Sequence, residues 1–220
     1  MRSLGSWLIP LALALVALLA WSAPATGTAV GLEIGAGYAA FDYGAVNDQL
    51  SAMNDQLGTE FGALHGGGGM ELGLRVWPTD RWMLRFTLDT FTTESHSASI
   101  GEMTFDPMPG FYTLDVTYFF LDSKPFRVGL GAGGGICEVA GEFKVPGPGG
   151  KYDLTGNGPE AHGLLEADVA ITKRAGVMLQ GGYRYAKVPD TQFDEVSNDP
   201  VLESDLSGGY FRAAFTYDWR

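Results

Sequence analysis

The chain has 220 residues, 45% of them hydrophobic, and carries 26 Asp and Glu against 14 Lys and Arg, a formal net charge of −12. That balance argues against binding nucleic acid, or any anionic surface, through bulk charge. A single cysteine, Cys137, excludes an internal disulfide and a zinc site built on thiolates.

Residues 1–25 read as a cleaved signal peptide: Arg2 gives a positive start, Trp7 to Ala20 an apolar run, and Ala23-Pro24-Ala25 a cleavage site of small residues. The run is short for a spanning helix and contains Pro10. No cysteine stands near the cleavage site, which disfavours a lipid-anchored lipoprotein. Residues 26–220 suit one β-domain of ordinary size.

Eight segments then alternate with a period of two residues, the pattern of strands with one apolar face. The first sets Val30, Leu32, Ile34, Ala36 and Tyr38 against Gly31, Glu33, Gly35 and Gly37. The second sets Met70, Leu72, Leu74 and Val76 against Glu71, Gly73 and Arg75, and the third Leu84, Phe86 and Leu88 against Arg85, Thr87 and Asp89. In the fourth Tyr112, Leu114, Val116, Tyr118 and Phe120 oppose Thr113, Asp115 and Thr117. Phe126, Val128, Leu130 and Ala132 oppose Arg127, Gly129, Gly131 and Gly133 in the fifth. The sixth has Leu165, Ala167, Val169 and Ile171 against Glu166 and Asp168. The seventh has Val177, Leu179, Tyr183 and Tyr185 against Gln180, Gly182 and Arg184. The last has Phe211, Ala213, Phe215, Tyr217 and Trp219 against Arg212, Ala214, Thr216 and Asp218.

Tight turns at 78–81, 122–125 and 173–176 alternate with long polar connections at about 42–65, 93–109, 138–160 and 188–207. A membrane barrel requires this, since turns of one kind lie on one side. In the first long connection Asn47-Asp48-Gln49-Leu50 recurs seven residues later as Asn54-Asp55-Gln56-Leu57. Val46, Leu50, Met53, Leu57 and Phe61 there mark the stripe of a short amphipathic helix. Such a helix packs on the barrel rim or on lipid, or else caps the lumen or presents a binding surface.

Alternation does not say which face points inward, and a soluble lipocalin-like barrel also has eight strands. Three features favour an apolar outside. Lys124, Lys144, Lys151, Lys173 and Lys187 all fall in loops, turns or strand ends, whereas the polar strand face carries Arg75, Arg85, Arg127, Arg184 and Arg212. A confined face that must pair its charges favours the multi-donor guanidinium. The polar face is also rich in glycine, which makes room for long arginines. Finally, Trp82, Tyr118, Phe120, Phe126, Tyr217 and Trp219 fall near the short-turn end of the apolar face, and Tyr38, Tyr112, Tyr183, Tyr185 and Phe211 near the long-loop end, as two interfacial girdles do.

On these features, and on the final strand Tyr210 to Trp219, the chain resembles the small outer-membrane β-barrel proteins of the OmpA-membrane-domain and OmpX type. The resemblance covers everything after the signal peptide. It implies an all-β, eight-stranded antiparallel up-and-down transmembrane barrel in the outer membrane of a Gram-negative bacterium, with long loops extracellular and short turns periplasmic. The last strand looks like the family's insertion signal for the barrel-assembly machinery, although Arg220 follows the usual terminal aromatic.

Signals for chemistry are weak. His96, between Glu94 and Ser97 or Ser99, is the best candidate for a lipid A deacylase trio, but barrel deacylases have a histidine and a serine two apart, and Ala98 stands there. His65 and His162 have no nucleophile beside them in sequence. The acidic last loop (Asp190, Asp194, Glu195, Asp199, Glu203, Asp205) lacks calcium-loop spacing and reads as a solvated surface. The glycine runs 66–69 and 133–135 open no helix and lack a P-loop lysine. The sequence therefore predicts no catalytic site, cofactor or metal. The expected protein is a monomer in outer-membrane lipid that supports the membrane or attaches through acidic loops to an unidentified surface ligand. A narrow pore and a lipid-modifying enzyme are the alternatives. Parity turns Glu33, Glu71, Arg75, Arg85, Asp89, Asp115, Arg127, Glu166, Asp168, Arg184, Arg212 and Asp218 inward, where they are expected to pair into a network that occludes the lumen.

Overall fold

The computed structural model describes residues 29–97, 102–145, 150–193 and 202–219, so the signal peptide expected at 1–25 lies outside the described residues, as do Ser99, Asp194, Glu195 and Asp199. Ten strands and one helix follow in chain order: β1 (Ala29–Ala40), α1 (Gly44–Leu57), β2 (Gly66–Trp77), β3 (Trp82–Thr92), β4 (Ser95–Ser97), β5 (Met103–Ser123), β6 (Phe126–Lys144), β7 (Lys151–Ala170), β8 (Ala175–Phe193), β9 (Leu202–Asp205) and β10 (Gly208–Trp219). Eight of the strands close a ring in the order β1, β2, β3, β5, β6, β7, β8, β10, antiparallel throughout. The closing seam pairs Val30 with Trp219 and runs without a break to Ala39 and Tyr210. Closure leaves no free edge in the ring, the condition for crossing a bilayer with strands.

The barrel is inverted relative to a soluble one. Ile34, Met70, Leu72, Leu114, Leu130 and Leu165 are each more than half exposed, while Arg75, Arg85, Arg184 and Arg212 are the largest fully buried side chains. Only a surrounding apolar medium makes that arrangement favourable, which fixes the fold as a transmembrane barrel.

The wall is uneven. β5, β6, β7 and β8 are 19 to 21 residues long, against 11 or 12 for β1, β2, β3 and β10. The sequence places long polar loops at 93–109, 138–160 and 188–207, but much of each is ladder: β5 and β6 stay paired to Thr104 and Lys144, and β6 and β7 to Lys144 and Lys151. These segments escape recognition because above the membrane neither face is lipid-facing, so the clean alternation lapses. α1 packs against β9, and the return segment 58–65 is hydrogen-bonded to β4 through Glu60 and Gly62.

Candidate functional site

The lumen holds three layers. At the short-turn end Ala29, Trp77, Met83 and Phe119 form a buried apolar floor. Trp77 is held between two guanidinium groups, Arg127 at 4.8 Å and Arg75 at 5.1 Å from its ring centroid.

The middle layer is ionic. Arg85 donates from Nε to Asp115 Oδ2 at 2.9 Å and from Nη1 to Glu166 Oε2 at 2.8 Å, linking β3, β5 and β7. Arg75 pairs with Asp168, and Glu33 lies 3.8 Å from Arg75 and 3.6 Å from Arg85. A second knot joins Arg212 to Glu71 and Asp89, each at 2.8 Å, and Arg184 to Asp89 at 2.9 Å and Glu160 at 3.1 Å. His162 bridges the two knots, with Nε2 2.9 Å from Asp115 Oδ1 and Nδ1 2.7 Å from Glu160 Oε1. The planar, multi-donor head of arginine is what lets one residue hold carboxylates on two strands at once.

Ten of the twelve inward-facing charged residues named from the sequence thus meet in one network. Arg127 does not: it pairs at 3.0 Å with Asp122 near the short turn, with both side chains partly exposed. Asp218, half-buried at the end of β10, lies over Gly31 beside the floor. Glu160 and His162 belong to the network but fall in or beside a sequence-assigned loop. Their shared parity with Glu166 was the signal for both. The glycines of the inner face make room chiefly for groups other than arginine. A Cβ at Gly73 would overlap the Glu33 carboxyl, and one at Gly133 would stand 2.7 Å from His162 Cε1 and collide with Asp115.

The upper layer is an apolar core that the polar parity of the strands conceals. Phe91, Phe111, Cys137, Val139, Leu154, Ala186 and Val188 face inward there, joined by Phe41, Tyr43, Phe61, Leu64 and Leu206. Phe41 is edge-on to Phe91 at 5.5 Å and stacked with Phe111 at 6.1 Å. Arg184 ends the ionic layer beneath it, 3.8 Å from the Phe111 centroid. Into this core α1 inserts Val46 and Leu50, while Asp48, Gln49, Asp55, Gln56 and Leu57 face outward. Of the placements open from sequence, the helix takes the cap over the lumen.

The described aromatics of both girdles lie on the outer face: Tyr38, Trp82, Phe120, Phe126, Tyr183, Tyr185, Phe211 and Trp219 are exposed and Tyr112, Tyr118 and Tyr217 half-buried. On the crown, Glu142 lies 2.6 Å from Lys151 and 3.0 Å from Lys144, which hold its carboxyl below the usual range. His65 is exposed, and His96 lies in β4 opposite Thr104. Among the described residues no three His, Cys, Asp or Glu side chains are placed to hold a metal ion.

No protein-family model matches the chain, and no curated protein matches it in sequence. Its fold is shared with solved outer-membrane proteins. OprG of Pseudomonas aeruginosa is 14% identical over 88% of this chain and 97% of that one, with a TM-score of 0.54. A major outer membrane protein of Thermus thermophilus is 12% identical over 88% and 100%, with a TM-score of 0.55. Ail, the attachment invasion locus protein of Yersinia pestis, solved with the heparin analogue sucrose octasulfate, is 11% identical over 88% and 100%, with a TM-score of 0.50. The chain has the fold of the small outer-membrane eight-stranded β-barrels.

Proposed function

We propose that the protein is a sealed, non-enzymatic barrel of the bacterial outer membrane, with its crown of extended hairpins outside and its short turns in the periplasm. It would support the membrane and present a rigid acidic surface for attachment. The observation that carries this reading is the filling of the lumen by three successive layers: the Trp77 floor, the arginine–carboxylate network and the apolar core capped by α1. An eight-stranded barrel is only just wide enough for its own side chains, so a filled interior leaves no water column for a steady current.

The crown also constrains what could attach. Asp42, Asp48, Asp55, Glu60, Glu138, Asp153 and Glu203 are among its acidic groups, against Lys144, Lys151 and Lys187. A polyanion of the kind bound to Ail would be repelled by this surface, so a cationic or neutral partner fits it better. Planar-bilayer recording of purified protein tests the sealed lumen: negligible steady conductance is expected. Stable single-channel currents that survive deletion of the outer loops would promote a pore.

A further inference from the structure

Two of the three short turns are built to one plan. In the β2–β3 turn, Thr79 Oγ1 accepts from the backbone N–H groups of Arg81 at 3.3 Å and Trp82 at 3.1 Å. In the β7–β8 turn, Thr172 Oγ1 accepts from those of Arg174 at 3.2 Å and Ala175 at 2.8 Å. The arginine carbonyl is in each case stitched to the neighbouring strand, Arg81 O accepting from Phe119 N and Arg174 O from Asp218 N, both at 2.8 Å. An aromatic pair stands at each stitch: Trp82 of β3 with Tyr118 of β5 at 4.9 Å, and Tyr217 with Trp219, both of β10, at 5.3 Å.

The receiving strands, β5 and β10, are separated by three strands either way round the ring, so the two corners lie on opposite sides of the barrel. Arg81, Lys173 and Arg174 are exposed. In one corner Arg81 Nη1 also donates to Tyr118 Oη at 3.3 Å, which aims the guanidinium along the aromatic belt. The hydroxyl and carbonyl of each turn serve the turn itself, which leaves the cationic heads for an outside partner, unopposed within the β7–β8 turn and beside the exposed Asp80 carboxylate in the β2–β3 turn.

Interfacial aromatic rings settle at the depth of lipid headgroups. The Arg81 guanidinium, fixed beside such a pair, stands at phosphate depth, the Arg174 backbone is anchored to the strand that carries the other pair, and the planar fork of each matches phosphate oxygens. The opposite end of the barrel is acidic, so this complementarity exists toward one leaflet only. We infer that the Thr79–Arg81 and Thr172–Arg174 corners are a pair of docking sites for anionic phospholipids of the periplasmic leaflet. The inference rests on the membrane orientation proposed above. The remaining turn, with Lys124 beside Pro125, lacks the threonine and arginine and serves as an internal control.

The test uses the chain from residue 26, purified from bilayer discs of phosphatidylcholine and phosphatidylglycerol in equal amounts, with retained lipid identified by native mass spectrometry. Phosphatidylglycerol should be retained in preference. One Lys or Arg near an anionic surface contributes about 1 kcal/mol, about fivefold in affinity. Arg81→Gln and Arg174→Gln should each weaken one of the two sites by about that factor and leave the other intact, and the double variant should weaken both about fivefold, while Lys124→Gln has a smaller effect. Equal retention of both lipids, or an unchanged preference in the double variant, overturns the docking sites. Boiled and unboiled samples run side by side check the fold. If wild-type protein shows no difference in mobility, the barrel reading falls and the docking sites with it; if every variant shows the difference, a lost lipid preference reports on docking alone.

Discussion

Asn47 of α1 and Leu64 of the return segment are joined by a reciprocal pair of hydrogen bonds: Asn47 Nδ2 donates to Leu64 O at 2.9 Å and Leu64 N donates to Asn47 Oδ1 at 2.8 Å. Asn54 repeats the arrangement with Phe61, at 3.0 and 2.8 Å, and also accepts from Thr59 Oγ1 at 2.8 Å. Seven residues are about two helical turns, or ~10.5 Å of rise, close to the span of three extended residues. The repeated Asn-Asp-Gln-Leu therefore makes a two-rung clamp that ties an extended segment to a helix. The helix can turn back because Gly58 adopts the left-handed conformation (φ 68°) and its N–H caps Asn54 O.

Replacing Asn47 by Ala should cost about 1–3 kcal/mol of local stability, because the Leu64 N–H and carbonyl lose their partners together. Hydrogen exchange of residues 58–65 should quicken while protection of the barrel strands stays the same. Equal loss of protection in β1 and β10 would show that the cap and the barrel unfold as one unit.

How much of this was legible depends on where lipid imposes a pattern. Inside the membrane one face must be apolar, so residues such as Leu32 and Glu33, or Leu165 and Glu166, declare their sides by parity, and the ring of eight follows. Above the membrane Phe91, Phe111 and Val139 occupy the same inward parity as Asp89, Asp115 and Gly133, yet they build an apolar core. Parity shows which way they point and not what they meet. The identity of ion-pair partners was illegible for another reason: Arg85 and Glu166 lie 81 residues apart, and only strand register and curvature bring them within reach.

Arg85→Ala should destabilise the barrel by about 3–5 kcal/mol, because it leaves Asp115 and Glu166 as buried carboxylates without their shared cation. Arg127→Ala should cost about 1–2 kcal/mol, since its pair with Asp122 is partly open to water and its contact with the Trp77 ring is the larger part of what is lost. Denaturant unfolding in detergent micelles orders the two variants. Equal losses would mean that Arg127 is held in the network after all.

The last strand carries the seam, pairing β1 on one side and β8 on the other over ten registered positions each. Removing Tyr217 to Arg220 strips the partners of Val30, Gly31 and Leu32, so signal cleavage should proceed while membrane assembly fails. Protease-accessible protein at normal yield on the cell surface would refute that role for the strand. His96→Ala, by contrast, should leave lipid A acylation unchanged, and a missing deacylation product would revive the enzyme reading.

Glycines on the two faces of the wall should respond oppositely to a single methyl group. At Gly133 an added Cβ would meet Asp115 Oδ1 and stand 2.7 and 2.8 Å from two atoms of the His162 ring. Those groups cannot swing aside, because His162 is held between Asp115 and Glu160, and Asp115 also accepts from Arg85. Gly133→Ala should therefore cost about 1–3 kcal/mol, the ordinary penalty of overpacking. Gly163, one position beyond His162, faces outward with nothing within 4 Å of an added Cβ. Its backbone is not in the left-handed region, so alanine fits without strain and restricts only the unfolded chain. Gly163→Ala should be neutral or stabilising by about 0.4–1 kcal/mol. Thermal unfolding of the two variants in the same detergent separates them, and a Gly133→Ala protein as stable as wild type would show that the ionic layer has room to spare.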